Sequence, residues 1–169
     1  MICGIIDFFS PTTNFRSLRA MGDVERADAP HASAYLCGGV GLFCRSRDPF
    51  LTYPITKTVD GKSYTLIIEG ECRADDEYII SGFHREGENF LCSLCGRYSL
   101  AFFDASDGAL YIFRTSGATD VYFSGDIRLV FATSEKALSA FPEKLYGVFR
   151  LRENTLLRYD IQGVRLIKK

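Results

Sequence analysis

The chain has 169 residues, with 20 Lys and Arg against 21 Asp and Glu, so its net charge is close to zero. That balance gives no electrostatic reason to expect nucleic acid or an anionic membrane surface as a partner. Apolar residues make up 47% of the chain and aromatics are abundant, with 14 Phe and 9 Tyr, which suffices for a core within one domain spanning 1–169.

Residues 1–9, MICGIIDFF, carry the Ile and Phe density of a strand. Gly4 inside that strand points to a close approach by a neighbour. The run is short, lacks a basic flank and reaches Asp7 early, so it does not read as a signal peptide. No apolar run approaches the ~20 residues of a membrane helix. The expected setting is cytoplasmic, with six mostly buried thiols. Residues 10–33 are polar and read as loop plus one weak helix near 15–21. His31 falls in this stretch as a lone histidine.

Residues 34–44 read as a strand pair or one long strand broken at Gly38-Gly39. Arg45 and Arg47 follow, each of which reads by itself as a surface arginine. Residues 48–57 read as loop, Asp60-Gly61 as a turn and 63–68 as a strong strand. Glu69-Gly70-Glu71-Cys72 comes next, then Asp75-Asp76-Glu77. These acids stand before the apolar spacing of Tyr78, Ile79, Ile80 and Phe83, where they cap a helix over 78–86. Residues 89–94 form a second short helix. Cys92 and Cys95 have CxxC spacing but no second pair with zinc-site spacing, so no metal is expected.

From Gly96 the punctuation is regular. A strand over 97–104 leads through a turn at 105–108 to a strand over 110–114. A polar loop at 116–120 follows. Strands over 121–124 and 127–132 flank a Gly125-Asp126 turn. Thr133 or Ser134 caps a helix over 135–140, and Pro142 stops it. Strands over 155–159 and 164–167 close the chain as a hairpin. Eight to ten short strands and two or three helices make an α+β chain.

The run 96–142 resembles the glutaminase domain of class II (N-terminal-nucleophile) glutamine amidotransferases, most closely that of asparagine synthetases. The shared elements are Gly96, Ala101 to Asp104, Leu110 to Arg114, Gly117, Val121-Tyr122, Ala132 to Glu135 and Lys136 to Leu138. Cys3-Gly4-Ile5 resembles the family's opening Met-Cys-Gly-Ile, and Gly70-Glu71 its Asn-Gly-Glu element.

The resemblance implies a four-layer αββα sandwich of two mostly antiparallel sheets with helices outside. A helix or edge strand should be missing after Gly70, where the chain is shortened. It implies Cys3 as the thiol nucleophile, its freed α-amine as the base, and the Gly70 N–H as an oxyanion donor. Arg45 or Arg47 would clamp the carboxylate of glutamine, while Glu71 and Asp75 would meet its amino-acid end. No cofactor is implied.

The sequence departs from that pattern at Thr115, where the family has Asp, at Asp120, where it has Pro, and in three places that bear on the site. Ile2 precedes Cys3, so Cys3 becomes residue one only if Met1-Ile2 is removed. Glu69 replaces the oxyanion Asn, and an ionised carboxylate donates no hydrogen bond. Only four residues separate Gly70 from Asp75. No SGGxDS-like pyrophosphate loop occurs. Two functions follow. One is a degenerate glutaminase-like module that binds a separate synthetase-like protein. The other is a glutaminase subunit that makes glutamate and ammonia through a Cys3 thioester. An exposed face could also support a homo-oligomer.

Overall fold

The structure is a computed structural model describing residues 1–9, 15–50, 52–125 and 128–168. Its contacts divide the chain into two compact units, Met1–Pro54 with Asp120–Arg150, and Ile55–Thr119 with Leu151–Lys169. Each carries one six-stranded sheet whose described pairings are antiparallel. The α+β class read from the sequence is therefore what the chain adopts.

The first unit contains β1 (Ile2–Ile6), α1 (Phe15–Asp23), β2 (His31–Cys37), β3 (Val40–Ser46), and, after the second unit's elements β4–β7, β8 (Tyr122–Gly125), β9 (Leu129–Ala132), α4 (Glu135–Ser139) and β10 (Phe149–Arg150). Its strand order is β10-β8-β9-β1-β3-β2. All five residues of β1 are buried, as expected of a central strand covered on both faces. Alternation sends Cys3 and Ile5 to the face where Leu18 and Met21 of α1 and Ala137 and Leu138 of α4 form an apolar cluster. On the other face Gly4 leaves room for its neighbours. A Cβ there would lie 2.4 Å from the Phe131 ring and 2.9 Å from Leu42. The close approach inferred at Gly4 is thus made by side chains.

The second unit contains β4 (Ile55–Val59), β5 (Lys62–Cys72), α2 (Asp76–Glu86), α3 (Glu88–Ser93), β6 (Gly96–Asp104), β7 (Ala109–Arg114), β11 (Thr155–Asp160) and β12 (Gly163–Lys168). Its order is β12-β11-β7-β6-β5-β4. Aromatic packing seats α2 on this sheet. The Phe83 ring lies 4.3 Å from that of Phe102 and 5.1 Å from that of Tyr111. Asp75 caps α2 by accepting from the Tyr78 N–H at 2.7 Å, and Ser134 caps α4 by accepting from Ala137.

Four sequence expectations are corrected. Residues 55–57 are not loop but open β4, whose alternate burial fits an edge strand hidden on one face only. Gly125 is not a turn residue, because β8 and β9 stay paired through Gly125 and Leu129. The rest of that turn, Asp126 and Ile127, lies outside the described residues, as do residues 10–14 of the expected loop. Twelve strands are described rather than eight to ten, including the two-residue β10. His31 is not in a loop but opens β2, exposed and opposite Ser46.

Candidate functional site

Cys3 occupies the middle of the central strand, opposite Phe43 on one side and Ala132 on the other. It has no solvent exposure. Burial pushes its thiol well above the ordinary range, and the nearby Cys44 adds to this. The Met1 amine and Arg45 pull the other way without offsetting it. A thiol nucleophile must be ionised and reachable. In this arrangement Cys3 is neither.

The residues before Cys3 are part of the sheet. The Met1 amine donates to the Arg45 carbonyl at 3.0 Å, and the Arg45 N–H returns a bond to Met1 at 2.9 Å. The Ile2 N–H donates to the Thr133 hydroxyl at 3.0 Å, and the Ile2 carbonyl accepts from the Thr133 N–H at 2.9 Å. Met1 also packs against the apolar cluster that holds Cys3. Cys3 therefore sits inside a strand, with an acylated nitrogen in place of a free amine.

Arg45 is buried, in contrast to the surface position its flanking sequence suggests. It lies two residues along β3 from Phe43, and its fork closes the end of α1. Nε donates to the Gly22 carbonyl, Nη1 to the carbonyls of Ala29 and Pro30 at 3.2 and 3.3 Å, and Nη2 to the Asp23 carboxylate. The bidentate geometry expected for a substrate carboxylate is thus spent on a helix C-terminus and the turn beyond it. Arg47 is exposed, its Nε donating to the Asp28 carbonyl at 3.0 Å.

The other three residues belong to the second unit. Gly70 lies near the end of β5 at φ 107°, where a Cβ would meet the Arg97 carbonyl oxygen at 2.4 Å. Gly96 makes the reciprocal approach from β6 at φ 140°, its Cβ position 2.2 Å from the Glu71 carbonyl oxygen. Glycine at both positions lets these strand ends close on each other. Glu71 pairs with Arg97 across the ladder and is exposed. Asp75 is the cap of α2. The expected residues thus fall into two groups, Cys3, Arg45 and Arg47 in one unit and Gly70, Glu71 and Asp75 in the other. Among the described residues no group of His, Cys, Asp and Glu is arranged to hold a metal ion. No helix among the described residues is long and apolar enough to cross a membrane.

Comparison with known proteins places the architecture. No family model and no curated protein matches the chain. Solved structures do. A glutamine phosphoribosylpyrophosphate amidotransferase from B. subtilis aligns with a TM-score of 0.75 over 99% of this chain and 48% of its own, at 10% identity. The fold is that of a class II glutamine amidotransferase domain. A second structure, described as the allosteric regulatory enzyme of purine biosynthesis, aligns at 0.63 with 11% identity, over 99% of this chain and 42% of its own. A glutamine aminotransferase class-II domain protein from Silicibacter pomeroyi aligns at 0.49 with 12% identity, over 99% of this chain and 90% of its own. The chain spans about half the length of the first two.

One feature of the second unit escaped the sequence reading. The segment between β5 and β6 forms a cleft of about 420 Å³ whose lining includes Arg73, Asp75, Phe90 and Cys95. Its one sequence signal was the Cys92-Cys95 pair, which suggests redox or metal chemistry by spacing and says nothing of a cavity.

Proposed function

We propose that this chain is a class II amidotransferase fold that no longer hydrolyses glutamine and acts by binding a synthetase-like partner protein. The carrying observation is Cys3, a strand-interior thiol with no exposure, kept protonated by its burial. The engagement of Arg45 with the end of α1 and the carboxylate at Glu69 support the same reading. The order of elements over 96–142, which resembles that of asparagine synthetases, favours an amide-forming partner.

The test is an ammonia-release assay with glutamine, run on wild type and Cys3→Ala, with intact mass measured on the same sample. No ammonia above the variant's background is expected, and Cys3 should resist iodoacetamide until the protein is denatured. Recovery of a stoichiometric complex with a purified synthetase-like protein supports the binding half. Glutamine hydrolysis abolished by Cys3→Ala, with a mass showing loss of Met1-Ile2, would establish the active glutaminase instead.

A further inference from the structure

We propose that the cleft between β5, α2 and α3 is a thiol-modification site, in which Cys95 forms a mixed disulfide with a small zwitterionic aminothiol. The inference goes beyond the proposed function and uses none of the residues that carry it.

The cleft has three kinds of wall. Its floor is apolar and fixed. Phe90 and Leu94 are buried, and Tyr78 sets its ring 5.4 Å from that of Phe90. Phe90 in turn fills the space left by Gly82, where a Cβ would lie 2.1 Å from its ring. The charged wall holds one group of each sign. No hydrogen bond or ion pair among the described residues holds the Arg73 guanidinium, although its backbone N–H is tied to the Cys95 carbonyl at 3.0 Å. The Asp75 carboxylate uses one oxygen on the Tyr78 N–H. The third wall is the exposed thiol of Cys95, whose closest acceptor is the Ser93 carbonyl at 4.0 Å, too long to occupy it.

Such a cavity suits a molecule with a short apolar stem, a carboxylate for Arg73, an ammonium for Asp75 and a sulfur for Cys95. The step needs only a symmetric disulfide as oxidant. The Cys95 thiol gives its proton to solvent and its thiolate attacks one sulfur of R–S–S–R. The new S–S bond forms as the old one breaks, and RS⁻ leaves and is protonated. The protein sulfur is oxidised and the departing half is reduced.

Cys37 supplies an internal control, because it is the other exposed thiol and ends β2 rather than lining a described cleft. The experiment treats native full-length protein with cystine, cystamine or hydroxyethyl disulfide, and follows adducts at each cysteine by peptide mass spectrometry. With cystine, Cys95 should react about tenfold faster than Cys37, and this preference should fall several-fold with cystamine and with the neutral disulfide. Arg73→Gln, a change at an exposed side chain, should remove the cystine preference at Cys95 and leave Cys37 unaltered. Equal rates at the two cysteines with cystine would overturn the proposal. So would an unchanged preference in Arg73→Gln, or an absence of adduct at Cys95.

Discussion

Arg45 and Arg47 stand two residues apart with the same guanidinium and opposite circumstances. The Arg45 side chain is 5% exposed and bonded to three carbonyls and one carboxylate, whereas Arg47 is exposed and bonded to one carbonyl. Removing a buried charged donor leaves several acceptors of the α1 terminus without a partner. Arg45→Ala should therefore cost about 3 kcal/mol in denaturant unfolding. Arg47→Ala should stay within about 0.5 kcal/mol. If the two variants unfold alike, Arg45 does not hold α1 as described. Asp75 is open to a similar separation of roles. Its bond to the Tyr78 N–H makes it a helix cap, so Asp75→Asn, which keeps the acceptor, should cost a few tenths of a kcal/mol and Asp75→Ala about 1 kcal/mol. A large loss in Asp75→Asn would mean that the charge, and not the cap, is what matters there.

The close approach of β5 and β6 makes Gly70 an element-scale device. At φ 107°, with the Arg97 carbonyl oxygen 2.4 Å from the position of a Cβ, alanine can fit only if the paired strand ends separate. Gly70→Ala should lower unfolding stability by about 3 kcal/mol and speed amide hydrogen exchange at the paired residues Glu71 and Arg97. Normal protection at both would show that the strands tolerate the side chain. Elements were legible where local chemistry agrees with global placement. The Asp-Gly turn before β7, the Ser134 cap and the strand β6 all appear as the sequence implies. What was not legible depended on partners distant in sequence. β4 looks like loop because the prolines before it and its alternating polar residues make sense only once it pairs with β5 at the edge of the sheet. Arg45 looks like a surface residue because Gly22, Ala29 and Pro30, which bury it, lie 15–23 residues upstream. Cys3 is a nucleophile by resemblance and a core residue by packing, and only the cluster around it distinguishes the two.

At the scale of the whole molecule, buried acids of high intrinsic pKa set a limit on the alkaline side. Burial raises the thiols of Cys3 and Cys72 and the phenols of Tyr64, Tyr98 and Tyr111, with Tyr111 pushed up to about 12. In the unfolded chain these groups titrate near their ordinary values, roughly 8.5 for Cys and 10 for Tyr. Between those values and the raised native ones the unfolded state has released protons that the native state still binds. Stability is then fully present below about pH 8 and declines as pH rises, by up to about 1.4 kcal/mol per pH unit for each such group. Alkaline titration should therefore show a phenolate wave that coincides with unfolding. Tyr64, Tyr98 and Tyr111 ionise only as the ellipticity collapses. If all nine tyrosines of the chain ionise in one wave near pH 10 while the ellipticity holds, the three phenols are reachable by solvent in the native state and the packing of α2 and α3 on their sheet is looser than described.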